Sequence, residues 1–148
     1  MQSDSLSAAR LAGVGSPAAR ASITAGATLG ALAVSLGAFA AHALRARLAP
    51  EALAIFDTGA RYQLVHAVAL VAIGLLQAIW PSRMTVAAAC CVGAGVLLFS
   101  GSLYALALGA PRALGMVTPL GGLLLISGWM MTAVAAWRAV PATKRQRS

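Results

Sequence analysis

Four long stretches without a charged residue constrain this chain more than any other feature of its sequence. Each is long enough to cross about 30 Å of hydrocarbon as a helix, which takes about 20 mostly apolar residues. Such continuous apolar runs do not alternate as barrel strands do, so helices are the spanning form. The sequence therefore predicts an all-α fold, a four-transmembrane-helix bundle. The uncharged stretches are 21–44, 62–82, 84–111 and 113–137, and the predicted spans are 21–42, 62–80, 85–109 and 118–138.

The composition excludes several classes of protein. Of the 148 residues, 60% are hydrophobic and 9% are charged, whereas a soluble domain has about 45–50% apolar and about 25% charged residues. So few charges cannot cover a water-exposed surface. The two cysteines, Cys90 and Cys91, are adjacent, and a disulfide between neighbours is strained. An ordinary soluble enzyme, a disordered chain and a disulfide scaffold are therefore excluded.

The positive charges mark the ends of the spans. The formal net charge is +8, but most cations stand singly beside an uncharged stretch, where an arginine can reach phosphate headgroups. We therefore expect a bilayer with anionic headgroups as the partner, together with a membrane-protein partner or a homo-oligomer, and no nucleic acid. The cations beside span ends are Arg20, Arg45, Arg61, Arg83, Arg112 and Arg138.

The same charges predict the orientation. With four spans, both termini share a side with the connection between spans 2 and 3, and that side holds seven cations against four. The positive-inside rule then places both termini in the cytoplasm. Residues 1–20 are expected to form a flexible cytoplasmic extension and 139–148 a basic cytoplasmic tail. Two other interpretations remain open, a signal-peptidase site at residues 38–40 and an organellar transit peptide in the first 20 residues.

Small residues predict where helices pack closely. Ser22, Gly26, Gly30, Ala33, Gly37 and Ala41 follow steps of three or four in span 1, so they share one helical face. Gly26 and Gly30 form a GxxxG pair, which allows two backbones to approach in lipid. Gly121 and Gly128 share a face of span 4. The helix that packs there is either another span of this chain or a second subunit.

The connection between spans 1 and 2 is predicted to be helical. Pro50 suits a first helical position and Glu51 complements the positive end of the helix dipole. The pattern predicts a short interfacial helix between spans 1 and 2, with Gly59 as a hinge into span 2. At the start of span 4, Thr118 followed by a proline predicts an N-cap.

One group of polar residues is a candidate site. It lies where spans 1 and 2 face the same side of the membrane, and ionisable groups inside a membrane are costly enough to suggest function. The group locks the loop onto the bundle, handles protons or ions, or binds haem or a metal through its two histidines. We expect no cofactor, no metal site and no enzyme, because no catalytic motif is present. The candidate residues are His42, Asp57, Arg61, Tyr62, Gln63 and His66.

Four motifs in order carry a resemblance to a known family. They are residues 37–42 (GAFAAH), 61–67 (RYQLVHA), 99–104 (FSGSLY) and 118–122 (TPLGG). Together they resemble the small four-helix membrane family of unknown function typified by bacterial YgdD and YwdK, over roughly residues 24–138. Ala40 departs from the glycine that this family favours. The resemblance implies an inner-membrane protein and ties His42, Tyr62, Gln63, His66, Ser100, Tyr104 and Thr118 to family motifs, but it implies no activity.

Overall fold

Four long helices make up most of the described molecule. The computed structural model describes residues 16–139, so most of the predicted extension and tail lies outside the described residues. The helices are α1 (Pro17–Phe39), α2 (Pro50–Ile79), α3 (Arg83–Ala107) and α4 (Val117–Arg138). A π-helix, Ala40–Leu44, continues α1, and a 3₁₀ helix, Arg112–Met116, leads into α4. All four segments are long and apolar enough to span a bilayer, so the predicted four-span all-α fold is confirmed.

The helix ends follow from local capping. Helix α1 begins before the expected residue 21, because Ser16 accepts a hydrogen bond from the Ala19 N–H at 3.2 Å and Pro17 fits the first turn. Helix α3 begins with a capping box in which Ser82 and Thr85 each accept a hydrogen bond from the other's backbone N–H. After α3, Gly109 adopts a φ of 95° and turns the chain back.

Three expectations about helix starts and connections are wrong. No separate interfacial helix exists between the first two spans, because the helix that begins at Pro50 continues without a break to Ile79. Gly59 is not a hinge. It is buried in α2, and a Cβ atom there would lie 2.9 Å from Cε1 of Tyr104. Thr118 does not cap α4, which already follows the 3₁₀ helix, and its hydroxyl instead lies 2.7 Å from that of Ser102.

The four helices pack in chain order. Helix α1 lies along α2, α2 along α3, and α3 along α4, while in the described part of the chain α1 and α4 have no Cα atoms within 8 Å of each other. Helices α2 and α3 therefore each lie between two neighbours, and α2 is the more buried of the two. A buried apolar cluster joins α2 to α3 and α4 through Leu70, Ile73, Ala88, Val92, Val96 and Leu125. Ala40 is fully buried against a second cluster that includes Phe56, so its methyl group is accommodated.

Candidate functional site

Gln63 joins three helices at the middle of the bundle. Its side chain is 4% exposed. The Nε2 group donates to the carbonyl oxygen of Leu29 on α1 at 2.9 Å, and Oε1 accepts from the hydroxyl of Tyr104 on α3 at 2.9 Å. A buried amide in lipid needs such partners, since no water is present to replace them. Gln63 therefore fixes the positions of α1 and α3 against α2.

His66 lies one turn further along α2 and reaches the fourth helix. Its Nε2 is 3.2 Å from Nε1 of Trp129 on α4, and its Nδ1 is 2.7 Å from the carbonyl oxygen of Tyr62. An indole N–H can only donate, so Nε2 must accept. The Nδ1 nitrogen then carries the hydrogen atom and donates a hydrogen bond to the Tyr62 carbonyl oxygen. His66 is therefore a neutral imidazole with both nitrogens engaged.

Aromatic rings surround these two side chains. The ring of Tyr62 lies with its centroid 4.5 Å from that of Phe99 and 5.9 Å from that of His66. The ring of Tyr104 packs on Phe56 at 4.7 Å. We call Tyr62, Gln63, His66, Tyr104 and Trp129 the polar layer. It unites residues of the second and third family motifs, and it adds a tryptophan that the motifs do not contain.

Ser100 is the one buried polar side chain among residues 16–139 whose oxygen finds no hydrogen-bond partner. It is 1% exposed and lies on α3 one turn before Tyr104. A hydroxyl without a partner is costly in an apolar interior. It belongs to the same motif as Tyr104, a member of the polar layer, and Phe99, whose ring contacts Tyr62 of that layer.

A second set of hydrogen bonds lies nearer the other end of α2. Gln77 is 2% exposed, accepts from the Ser22 hydroxyl on α1 at 3.0 Å and donates to the Thr85 carbonyl oxygen on α3 at 3.0 Å. It thus repeats the arrangement of Gln63, about 20 Å further along the helix. Two glutamines of α2 fasten the same pair of neighbouring helices at two depths.

Three of the six predicted site residues lie outside the polar layer. His42 is exposed on the π-helix, Asp57 is half-buried on an earlier turn of α2, and Arg61 is exposed. Their side chains take no part in the hydrogen bonds of the layer. The structure therefore brings together Tyr62, Gln63 and His66 and leaves the others apart.

The two histidines are far from each other. Ala67, next to His66, packs against Gly26 and Gly30 of α1. His66 therefore lies at the same depth in the bundle as residues 26–30 of α1. Residues 30 and 42 are separated by about 18 Å of helix at 1.5 Å per residue. Because metal–imidazole bonds are about 2 Å long, one metal ion or haem iron cannot be bound by both histidines. Within residues 16–139, no three His, Cys, Asp or Glu side chains form a metal-binding group.

The predicted packing glycines differ in their surroundings. A Cβ atom on Gly26 would lie 2.7 Å from the Ala67 carbonyl oxygen, and one on Gly128 would lie 2.5 Å from Cγ2 of Val92. Gly121 lies directly against the backbone of Phe99. A Cβ atom on Gly30 would make an ordinary 3.7 Å contact, and one on Gly37 would meet nothing within 4 Å. Three further close contacts, at Gly59, Gly74 and Gly95, had no recognised signal in the sequence.

Trp129 is the site residue that sequence reasoning missed. The residue is 48% exposed on α4, and an exposed tryptophan in a span is usually a lipid or interface contact. Helical spacing within α4 gives no indication that its N–H reaches a histidine 63 residues earlier. The signal that was available is the polar face of α2, since each polar residue there needs a partner on another span.

Comparison with known proteins identifies relatives of this chain. The model of a family described as "Protein of unknown function (DUF423)" matches residues 36–122. A relative named UPF0382 membrane protein YwdK, from Bacillus subtilis, is 40% identical over 106 residues, which are 71% of this chain and 86% of the relative. UPF0382 membrane protein SH2409 from Staphylococcus haemolyticus is 37% identical over 74% of this chain and 88% of its own length.

A third relative is named UPF0382 inner membrane protein YgdD, from Escherichia coli. It is 36% identical over 113 residues, which are 74% of this chain and 83% of the relative. No solved structure matches the chain. The resemblance that the four motifs carry is thereby confirmed. The region that the family model matches includes His42, Gln63, His66 and Tyr104 and ends before Trp129.

Proposed function

We propose that this chain, which belongs to the DUF423 family of unknown function, is a non-enzymatic accessory or assembly component of the bacterial inner membrane. The four spanning helices make it a multi-pass membrane protein. The inner membrane is proposed by analogy with the relative YgdD, which is named as an inner membrane protein.

The observation that supports a non-enzymatic role is the use of polar side chains inside the bundle. Both hydrogen-bonding ends of Gln63, His66 and Gln77 are engaged with other groups of the same chain. A general acid or base must instead reach a substrate proton. These side chains stabilise the arrangement of the helices, so we expect the function of the protein to depend on contacts made by its surface.

The lipid-facing surface offers room for a partner. Helices α1 and α4 lie at opposite edges of the bundle and do not contact each other in the described residues. Their outer faces carry large apolar side chains, such as Val34, Leu123 and Met130, each about 60% exposed. We propose that another integral membrane protein packs on this surface through van der Waals contacts, the main attraction between helices in lipid.

Both termini are proposed to lie in the cytoplasm. Over the whole sequence, seven cations lie on the side of the termini and four on the other. Of these seven, Arg20, Arg83 and Arg138 lie in the described helices, and the rest lie outside the described residues. Attaching a reporter enzyme that is active only in the periplasm to either terminus tests this, and activity of either fusion contradicts the proposal.

Affinity purification tests the accessory role. The tagged chain, extracted in a gentle detergent, is expected to recover one membrane protein in a constant ratio, and the tagged partner is expected to recover this chain. An unrelated four-span protein with the same tag is the control. Recovery of this chain alone, or only as a homo-oligomer, overturns the proposal. A haem absorption band in the purified protein contradicts the absence of a cofactor that we propose.

A further inference from the structure

A continuous groove runs along one side of the bundle, with α1 and α3 as its walls and α2 as its floor. Its first part has a volume of about 460 Å³ and is lined by Ala25 and Thr28 on one wall and by Cys90 and Gly93 on the other. Its second part, of about 280 Å³, reaches Gly101 and Tyr104. Leu29 and Leu97 line both parts, so the two parts join. We call this the α1–α3 groove.

Two glycines of the groove have no role in packing within the chain. A Cβ atom on Gly93 or on Gly101 would meet nothing within 4 Å. By contrast, a Cβ atom added to any of six other glycines would lie within 3 Å of an atom of a neighbouring helix. These are Gly26, Gly59, Gly74, Gly95, Gly121 and Gly128. Glycine inside a helix is unfavourable compared with alanine. At Gly93 and Gly101 the absence of a side chain leaves the groove open.

The shape of the groove suits a hydrocarbon chain better than a helix. The two parts extend along similar lengths of α3, about 12 Å each, yet their volumes are about 460 and 280 Å³, so the groove narrows towards Tyr104. A helix is a cylinder of constant width, about 10–12 Å. In addition, Leu97 is 66% exposed between the two glycines, where it obstructs a helix lying flush on α3 but not a thin flexible chain.

The wide end of the groove points towards a positive charge. Arg83 is exposed at the start of α3, two turns before Cys90 and on the same side of the helix, since residues seven apart share a face. The two carboxylates of the described chain, Glu51 and Asp57, lie at the opposite end of the bundle. An arginine at a span end is suited to bind a phosphate.

We propose that the α1–α3 groove binds one acyl chain of an anionic phospholipid whose phosphate lies at Arg83. The chain enters at the wide end, passes over Gly93 and Leu97, and ends over Gly101 beside the Gln63–Tyr104 hydrogen bond. This proposal does not rest on the protein partner proposed above. The lipid is expected to bind whether or not that partner is present.

Photo-crosslinking in vesicles tests the site. The full chain is reconstituted into vesicles of phosphatidylethanolamine and phosphatidylglycerol containing a trace of phosphatidylglycerol with a diazirine on one acyl chain. Labelled residues are located by mass spectrometry. We expect labelling to concentrate on the groove walls, and to fall about fivefold in the double variant Gly93→Leu/Gly101→Leu, since van der Waals contact holds the chain there.

Gly37→Leu is the matched control, because Gly37 also has open space around its Cβ position but does not line the groove. It is expected to keep the labelling, and all three substitutions put a better helix former at an open position, so each variant folds. Arg83→Gln is expected to lower labelling by the phosphatidylglycerol probe but not by a diacylglycerol probe with the same acyl chains, which carries no phosphate. Equal loss with both probes overturns the role of the phosphate.

Either of two results overturns the proposal that the α1–α3 groove binds a lipid. One is labelling of the groove that is no stronger than labelling of the exposed face of α4 at Leu123, or that is unchanged in the double variant. The other is a disulfide between the Cys90 side chains of two copies, which forms in the membrane when a mild oxidant is added to accept the two electrons and is lost in Gly93→Leu. That result would assign the groove to a second copy of this chain.

Discussion

Replacing Gln63 by leucine removes both hydrogen bonds that join α1, α2 and α3 in the polar layer. The amide donates to the Leu29 carbonyl oxygen and accepts from the Tyr104 hydroxyl, each at 2.9 Å. Hydrogen bonds between helices in membrane proteins contribute on average about 0.6 kcal/mol and at most about 1.7 kcal/mol. With two bonds lost, we expect Gln63→Leu to lower the free energy of unfolding by about 1–3 kcal/mol.

A double-mutant cycle isolates one of these bonds. Tyr104→Phe removes the hydroxyl alone, so it is expected to lower the free energy of unfolding by about 0.6–1.7 kcal/mol. In the Gln63→Leu background the same substitution has no bond left to break. The coupling energy between the two positions should therefore equal the contribution of the shared hydrogen bond, about 0.6–1.7 kcal/mol.

Unfolding in mixed micelles, by titration with a denaturing detergent, measures these energies. Ser35→Ala is the control, because the Ser35 hydroxyl is exposed and donates only to the Ala31 carbonyl oxygen in its own helix. We expect it to change the free energy of unfolding by less than about 0.5 kcal/mol. A coupling energy below about 0.3 kcal/mol between Gln63 and Tyr104 would refute the shared bond and with it the structural role of the polar layer.

Two further predictions concern the other contacts between helices. Trp129→Phe keeps a ring beside His66 but removes the indole donor. We therefore expect the free energy of unfolding to fall by about 0.6–1.7 kcal/mol and the His66 Nε2 resonance to shift in nitrogen NMR. An unchanged resonance contradicts the hydrogen bond between Trp129 and His66. Gly26→Leu forces a side chain towards the Ala67 carbonyl oxygen, 2.7 Å from the Cβ position, and should destabilise the protein by about 1–3 kcal/mol or more. Gly30→Ala, with an ordinary contact of 3.7 Å, should change thermal unfolding little, and equal effects of the two variants would show that the close approach at Gly26 is absent.

Much of the candidate site could be read from the sequence, but not its boundaries. The steps between Gln63, His66 and Gln77 place them on one face of α2, and the structure buries all three on that face. The sequence also predicts His42 in this group, because His42 ends the first span on the same side of the membrane. Helix α2 begins at Pro50, which places His66 more than four turns along it, at a depth that the exposed His42 does not reach.

The glycines show the same division. Their periodicity identifies faces that suit close packing, and Gly26, Gly121 and Gly128 do lie against a neighbouring helix. Gly37 belongs to the same periodic row as Gly26 but meets nothing. Helical periodicity assigns a residue to a face, whereas the length over which two helices stay in contact depends on how they cross.

Four helices across a membrane follow from the amino-acid sequence alone, because uncharged runs of this length have no other stable form in lipid and the arginines mark where each run ends. The role of the polar side chains, by contrast, depends on how the four helices pack. The partners of Gln63 and His66 are a backbone carbonyl on α1, a hydroxyl on α3 and an indole on α4. Such partners lie on other spans, and which of them come within hydrogen-bond distance depends on the depth and rotation of each helix, quantities that no local pattern encodes.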